Sequence, residues 1–429
     1  MNAKFPYRYR VLILLFFLIF ICILDRVAFS LVSVRIMSAF HLTNEQFGWT
    51  VSAFGLAYAF FEIPSGVLGD RIGQRSLLIR IVLWWSLFTA LTGFTTGLVS
   101  LLLVRFLFGA GEAGAFPNAV GALSRWMPAK EISRGYSSIA IGIALGQTVA
   151  PFIIVPIAAG FGWRVPFFVI SLFGLVWAIV CFSWFRNNPS EKKNISNEEL
   201  NYIETNRKIE NHSHRFSWKT AFKNRNLWVL PIAYFASNFG WSLYVFWLPA
   251  FVQKGLGFSE NSMKNITALT YLMGAIGAFT MGYGSDLLVR KRGLKFGRRF
   301  IGVTSLGFAA ILFFSMGVTS NITVKLICLF ASNFLVVSGS IAFFSTCIDI
   351  GGNNVGAVTG VMNTAGQSAV IINGIVIGKL AHAHIYNSSI FVVAAVWLVG
   401  ALMWLLVDPT KKIAIEDKKL IHVELVAPA

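Results

Sequence analysis

Long apolar segments separated by short polar ones run along almost the whole chain. Twelve of these segments are close to the length of about 20 residues that an α-helix needs to cross a bilayer. A large soluble core would show such segments rarely, and its helices would alternate apolar and polar faces. The pattern therefore predicts an all-α integral membrane protein with helices over residues 11–33, 46–68, 77–97, 100–122, 136–159, 165–186, 227–252, 263–285, 299–318, 322–347, 356–381 and 386–407.

The longest polar stretch, residues 187–226, separates six predicted helices from the other six. It predicts an N-terminal six-helix bundle over 1–186, a cytoplasmic linker over 187–226, and a C-terminal bundle with a short tail over 227–429. The pattern Gly66–Arg75 after the second helix has a looser counterpart in Gly282–Asp286 and the basic run that follows the eighth. Such a repeat predicts two pseudo-symmetric bundles with the substrate path between them, near the midplane.

The charged residues, 13% of the chain, are few compared with the share of about 25% that is usual in soluble proteins. Their net charge of +18 reflects topology, because Lys and Arg concentrate at the N-terminal tip, in the even-to-odd loops and in the tail. The predicted loop 287–299 alone holds six of them. This asymmetry places both termini in the cytoplasm and makes nucleic acid an unsuitable partner. Compact loops on the other side favour a bacterial inner membrane, and we expect a monomer.

Charged side chains inside membrane helices cost about 2.5–3.5 kcal/mol each, so they need partners or a water-filled path. Five lie more than a turn from either end of a predicted helix, and all belong to the N-terminal half: Asp25, Arg26, Glu62, Arg105 and Glu112. Arg105 and Glu112 are two helical turns apart, so they share one face of the fourth helix with an axial separation of about 10.5 Å. A cavity between the first and fourth helices would therefore hold two cations and two or three acids.

This balance suits proton-coupled anion transport, because a buried carboxylate is easily protonated without a nearby cation and stays ionised beside one. We predict that Arg26 binds the substrate carboxylate through its planar guanidinium. Asp25 and Glu112, with Glu62 as a further candidate, would take up protons, and Arg105 would couple Glu112 to the substrate. The alternative is that these groups form permanent ion pairs that hold the helices together.

Neutral polar side chains in the helices would form hydrogen bonds with the rest of the substrate. Tyr58 lies one turn before Glu62, and Asn118 follows Pro117, where the helix backbone loses a hydrogen bond. An aromatic series on the seventh helix repeats at helical spacing. Each aromatic residue alone is more commonly a packing or interfacial residue. The predicted substrate-binding set beyond the arginines is Tyr58, Gln147, Asn118, Trp241, Tyr244, Asn363 and Gln367.

The repeated loop pattern predicts a cytoplasmic gate. Glycines let helix ends approach closely, and an Asp can pair with an Arg across the turn or cap a neighbouring helix. Such a charge latch could hold one conformation and release in another, although ordinary solvated loop charges would give the same composition. The predicted gate residues are Gly66, Asp70, Arg71, Gly73, Arg75 and Asp286.

Several motifs resemble the signatures of one transporter family. The segment Gly66–Arg75 resembles the loop signature of the major facilitator superfamily. The segment Arg105–Asn118 looks like the fourth-helix signature of its anion:cation symporter branch. Further segments similar to that branch are 162–168, 188–191, 347–352 and 356–367.

The resemblance implies the major facilitator fold and import, by alternating access with protons, of a sugar acid such as a hexonate, hexarate or hexuronate. It also matches the pairs Asp25–Arg26 and Arg105–Glu112 to the functional positions of the branch. The chain departs from the usual pattern of the family at three positions. It has Glu62 where many members have Gln, Gln74 where a basic residue is usual, and Gln367 where Asn is common.

Other functions stay open at this level. An organic-anion or drug exporter, an exchanger, and an importer of an aromatic acid or a carboxylate siderophore would use the same charges, but cationic-drug exporters usually lack embedded arginines. A receptor would need a signalling domain. An enzyme is the poorest fit, because the sequence shows neither a nucleophile triad nor a phosphate loop. We expect no cofactor and no metal, with protons as the coupling ion and sodium as the alternative.

Overall fold

The computed structural model describes residues 5–128, 131–206, 223–351, 355–382 and 386–412. Its first half contains α1 Tyr7–Leu31, α2 Ser33–Ala39, α3 Asn44–Ile72, α4 Gln74–Gly93, α5 Leu98–Glu112, α6 Ala115–Trp126, α7 Ile132–Phe161 and α8 Val165–Trp184, followed by the linker helix α9 Asn197–Asn206. Its second half contains α10 Asn226–Ser242, α11 Leu248–Ala250, α12 Glu260–Arg292, α13 Leu294–Val318, α14 Ile322–Gly351, α15 Val355–His382 and α16 Tyr386–Leu406.

Each predicted span is helical, and the chain is an all-α membrane protein. In the described ranges, 11 helices are long and apolar enough to cross a membrane. The remaining predicted span lies in α12, whose 33 residues include Lys264 and many Gly, Ser, Thr and Asn residues. This helix packs on α7, α13 and α14, so its polar positions can face protein instead of lipid.

The predicted fourth helix is divided into α5 and α6 by a turn at residues 113–114. Pro117 causes the break, because it has no N–H and its ring excludes the carbonyl four residues before it. The prediction of a loop over 287–299 is wrong, because this segment is mostly helical: α12 continues to Arg292 and α13 begins at Leu294. Leu287, Leu288 and Val289 sustain the helix, and only Gly293 interrupts it.

The internal repeat is visible in the backbone. Gly73 separates α3 from α4 with a φ of 87°, and Gly293 separates α12 from α13 with a φ of 86°. Both values lie in the region that side chains disfavour and glycine adopts freely. The same tight turn therefore occurs at equivalent places in the two halves.

We call the side that carries Phe5 and Lys412 the terminal face, and the side reached by residues 32–43 the distal face. Within the described ranges, the side-chain hydrogen bonds we find between the halves lie in the distal half. Asn44 donates to the Ala381 carbonyl at 3.0 Å, and Ser52 donates to the Ile371 carbonyl at 2.8 Å. The protein is therefore closed on the distal side.

A salt bridge completes the distal closure. The Arg35 guanidinium, at the end of the first transmembrane segment, contacts both Glu260 carboxylate oxygens, with 2.7 Å from Nε to Oε1. We predict that Arg35→Ala shifts the population by up to about fivefold toward distal opening, since a partly exposed pair contributes up to about 1 kcal/mol. Spin labels on the distal ends of α1 and α12 would show the longer distance. An unchanged distance distribution would contradict this role, and Glu260→Gln should give the same shift as Arg35→Ala.

On the terminal face the linker helix is attached to the first half. The Glu199 carboxylate accepts the backbone N–H groups of Tyr7 and Arg8 at 3.1 and 3.0 Å. Arg8 Nε donates to Glu131 at 3.1 Å. Partial burial acts to raise the pKa of Glu131, but the hydrogen bond and charge of Arg8 outweigh it and hold that pKa below its ordinary value. The linker and the start of α7 are thus tied to the start of α1.

We predict that Gly69→Ala lowers the unfolding free energy by about 1–3 kcal/mol, the usual range for overpacking. A Cβ at Gly69 would overlap the side-chain oxygen of Asn118, which lies against α3. Gly160→Ala in α7 is the control, because a Cβ there meets open space and alanine is the better helix former. Thermal unfolding in detergent measures both. Equal stability of the two variants would show that the contact between α3 and α6 tolerates a methyl group.

Candidate functional site

Four ionisable side chains meet in the centre of the first half. Asp25 and Arg26 come from α1, Arg105 comes from the middle of α5, and Glu112 comes from its last turn. All four are at least 93% buried, with exposures of 3%, 7%, 2% and 0%. The sequence placed them together, and the structure does so as well.

Arg26 is bound to Glu112. Its Nη2 and Nε donate to Glu112 Oε1 at 2.9 and 3.2 Å. The thiol of Cys22, one turn before Arg26, donates to the same oxygen at 2.9 Å. The guanidinium also lies over the rings of Phe54 and Tyr58, at 5.3 and 5.1 Å. Glu112 is therefore held through one oxygen by two groups of α1.

Asp25 has a different partner. Thr89 of α4 donates its hydroxyl to Asp25 Oδ1 at 3.0 Å. Asp25 and Arg26 are adjacent in sequence, so they point to different sides of α1, and each binds a different helix. This arrangement separates the two acids rather than joining them in one network.

Arg105 lies in an aromatic cage. Its guanidinium carbon is 4.3 Å from the centroid of Phe29, 4.9 Å from that of Phe54 and 4.8 Å from that of Phe108. Cation–π contacts of this kind stabilise a desolvated cation partly. They leave the N–H groups in the guanidinium plane available to an anion.

Four polar atoms of the cluster are buried without a hydrogen-bond partner among the described residues. They are Asp25 Oδ2, Glu112 Oε2, Arg105 Nε and Arg105 Nη2. Buried polar groups are nearly always satisfied, and an uncompensated buried charge is costly. Each acid therefore has one oxygen free to carry a proton, and Arg105 has two donors free for a ligand.

Glu62 lies nearer the terminal side of α3. It is one turn from Tyr58, which is buried under Arg26, and its own side chain is half-buried. Its carboxylate is close enough to Arg26 for their charges to interact. The acid thus lies at the border between the charged cluster and the terminal side.

Two predicted substrate contacts are engaged in packing. Asn118 Nδ2 donates to the carbonyls of Gly114 and Ser65, at 2.8 and 3.3 Å, so it stabilises the break before α6. The Tyr244 hydroxyl is 2.7 Å from Ser332 Oγ, and its ring packs on Phe313. Both side chains lie inside their own half.

The other predicted contacts are more accessible. Gln147 is 9% exposed on α7, while Trp241 on α10 and the pair Asn363 and Gln367 on α15 are half-buried. Because α15 packs along α3, Asn363 and Gln367 belong to the helix that faces the charged half. The structure brings this helix, but not the core residue Tyr244, to the boundary between the halves.

The seventh span also reaches the cluster. Pro249 in α11 is flanked by π-helical turns at Leu243–Trp247 and Phe251–Gly255. The first turn places Phe246 at 5.8 Å from the Phe54 ring and Trp247 at 5.5 Å from the Phe47 ring. Since π-turns are rare and occur frequently at functional sites, this contact links the second half to the cage of Arg105.

The predicted gate residues lie at the terminal face. Gly66 is half-buried and Asp70 and Arg71 are exposed, and Asp70 accepts a hydrogen bond from Gln74 at 3.3 Å. Gly73 forms the tight turn described above. Arg75 donates to the Phe182 carbonyl, and its backbone N–H donates to Asn187 at 2.8 Å. The side chain of Asp286 lies outside the described residues.

In the second copy of the repeat, an ion pair forms with Asp349, which is not one of the predicted gate residues. Arg298 Nε donates to Asp349 Oδ2 at 2.9 Å, and its Nη1 donates to Ser285 at 2.6 Å. This pair connects the start of α13 to the end of α14 and the terminal end of α12. It is a partly buried charge contact that the sequence pattern did not predict.

Sequence reasoning missed the partners of the charged groups. Three of these partners could have been found from helical spacing. Cys22 lies one turn before Arg26, Phe29 lies one turn after Asp25, and Phe108 lies one turn after Arg105. Thr89 had no such signal because it belongs to another helix.

A buried charged cluster at the centre of a membrane-helix bundle, closed on one side, defines a membrane transport protein. Residues 15–374 match the Major Facilitator Superfamily, and the chain belongs to this superfamily. Its members and this chain's relatives are transporters, not enzymes.

Several relatives match over most of the chain. The sequence is 29% identical to the probable sulfoacetate transporter of Cupriavidus necator over 98% of both chains. It is 29% identical to the hexuronate transporter of Bacillus subtilis over 83% of this chain and 85% of that protein. Among solved structures, a bacterial homologue of the human lysosomal transporter Spinster, inward-facing and unoccupied, matches with a TM-score of 0.76 and 17% identity. That match covers 94% of this chain and 97% of the other.

Proposed function

We propose that this protein imports a small organic anion together with protons by alternating access. The observation that carries the proposal is Arg105, a buried guanidinium with two unpartnered N–H groups in an aromatic cage. A carboxylate or sulfonate would satisfy both donors at once, since the guanidinium fork can bind two oxygens of one anion. In this proposal Arg105, not Arg26, is the first anion ligand.

Arg26 would join the anion only when Glu112 is protonated. A neutral Glu112 no longer holds the guanidinium electrostatically, so Arg26 becomes free to bind the substrate beside Arg105. Loss of the proton restores the contact between Arg26 and Glu112 and weakens the hold on the anion. Because one oxygen of Glu112 has no partner, the proton has a place to bind, and Asp25 offers a second.

The orientation follows from charge. Cations concentrate on the terminal face, which we therefore assign to the cytoplasm of a bacterial inner membrane. Closure of the distal side then corresponds to an inward-facing state. In that state the contact between Arg26 and Glu112 fits a carrier that has delivered both proton and anion. We propose a monomer without a cofactor.

A sugar acid is the favoured substrate class. The amide side chains of Asn363 and Gln367 on α15 are suitable partners for sugar hydroxyls, and the hexuronate transporter of Bacillus subtilis is a relative. The second candidate is a small acid with two anionic groups, because the match to the probable sulfoacetate transporter extends over 98% of the chain. Arg105, together with the Arg26 that protonation of Glu112 releases, would suit a dianion.

Binding of organic acids to the purified protein tests the proposal. A ligand at one hundred times its dissociation constant adds about 2.7 kcal/mol of stability, which a thermal-shift screen detects. We expect a hexuronate or sulfoacetate to stabilise the protein, and more strongly as the pH falls, because protons and the anion bind together in this proposal. Neutral hexoses serve as the control. Stabilisation by cationic drugs but not by acids would instead indicate an exporter of another class.

A further inference from the structure

A groove of about 660 Å³ lies at the terminal face of the second half, in the seam between α13 and α16. It is separate from the charged cluster, which belongs to the first half. Its walls are cationic at one end, where Arg292, Lys295 and Arg299 line it. They are apolar at the other end, where Phe300 and Leu405 line it.

The spacing along α13 explains this polarity. Lys295 and Arg299 are one turn apart at the start of the helix, and Phe300 and Val303 follow on the same side. From Lys295 to Val303 the helix rises by about 12 Å, so the apolar end lies deeper in the membrane. Phe300 and Leu405 are 48% and 51% exposed. The groove is therefore amphipathic along the membrane normal.

The cationic end retains excess positive charge. Lys295 Nζ is 3.1 Å from Asp408 Oδ2, and Arg299 Nε donates to the Val407 carbonyl. The Arg292 guanidinium lies near the Phe296 ring, at 5.8 Å. In the described part of the groove, Asp408 is the acid that faces these three cations, which leaves a net charge of about +2 there. Such a combination of cations and lipid-facing apolar side chains matches an anionic lipid.

We propose that this groove binds an anionic glycerophospholipid of the bilayer. Its phosphate would lie between Arg292 and Arg299, with Lys295 held beside them by Asp408. One acyl chain would follow Phe300, Val303 and Leu405 along the seam. The site would attach the α13–α16 side of the second half to the leaflet at the terminal face.

Lipid titration of the purified full-length protein in detergent tests this site. We expect phosphatidylglycerol to raise the unfolding temperature more than phosphatidylcholine with the same acyl chains. Arg292→Gln combined with Arg299→Gln should weaken phosphatidylglycerol binding by about 30-fold, since each cation near an anionic lipid contributes about fivefold. The matched control is Arg290→Gln with Lys291→Gln, which removes two charges from the same basic run outside the groove. Native mass spectrometry counts bound lipid independently of stability.

Three outcomes would overturn the proposal. Equal losses in both double variants would indicate diffuse attraction by the basic surface. An equal response of the native protein to phosphatidylcholine would indicate binding of acyl chains alone. Equal stabilisation by inorganic phosphate would indicate a site for a soluble anion. Loss of lipid adducts in the Arg292 and Arg299 variant alone supports the groove as a lipid site.

Discussion

Replacement of Arg105 by methionine should reduce binding of the transported anion by about 30-fold or more. Truncation of one partner in a buried, hydrogen-bonded charge pair costs about 2–5 kcal/mol, and Arg105 provides two free donors. Arg105→Lys keeps the charge but loses the planar fork, so it should bind with intermediate affinity. Calorimetric titration with the acid selected by the thermal-shift screen measures all three proteins.

The same variant should not be less stable without ligand. Methionine fills a similar volume between Phe29, Phe54 and Phe108, and it removes a buried charge without a bonded acid, a change that is often neutral or stabilising. Arg164→Ala is the control for binding, because that arginine lies over the Trp163 ring at 4.3 Å, outside the cluster. Normal anion affinity in Arg105→Met would remove Arg105 from the site.

Replacement of Glu112 by glutamine should abolish proton-driven accumulation but preserve anion exchange. Glutamine imitates the protonated acid, so Arg26 stays available to the substrate and the affinity for the anion stays high. A gradient of one pH unit can drive about tenfold accumulation per proton, and this factor should fall to background. Uptake and counterflow in proteoliposomes measure the two activities separately.

Two further variants sharpen this test. Glu204→Gln changes an acid on the linker helix α9, far from the cluster, and should leave accumulation unchanged. Asp25→Asn reports whether the acid bound to Thr89 carries a second proton, since it should then also lose accumulation. Proton-driven accumulation retained in Glu112→Gln would exclude Glu112 from coupling and leave the pair with Arg26 a structural one.

The periodicity of apolar segments was sufficient to predict the spans, because the bilayer imposes both their length and their composition. It failed locally where a single residue decides. Pro117 divides one predicted helix into two. The basic run 287–299 was predicted as a loop, but it is helical on both sides of Gly293, because no helix-breaking residue precedes that glycine. The helix α12 differs from the other spans in polarity, since its Gly, Ser and Thr positions can face protein.

Membership of the charged cluster was also predictable, since charges inside membrane helices are costly and therefore few. The pairing was not. Which acid contacts which arginine depends on the rotation of each helix about its axis, and this is set by packing between helices far apart in sequence. The contact of Arg26 with Glu112, and the isolation of Arg105, could be seen only in three dimensions. For the same reason, Asn118 and Tyr244 could not be recognised as packing residues.

The measurement that tests the account most directly is the external pH of a weakly buffered suspension of proteoliposomes. Addition of the selected organic acid should alkalinise the medium with the native protein, because each anion enters with protons. It should produce no pH change with Glu112→Gln, although that variant still exchanges the anion. Acidification, or anion uptake by the native protein without any pH change, would contradict proton-coupled import.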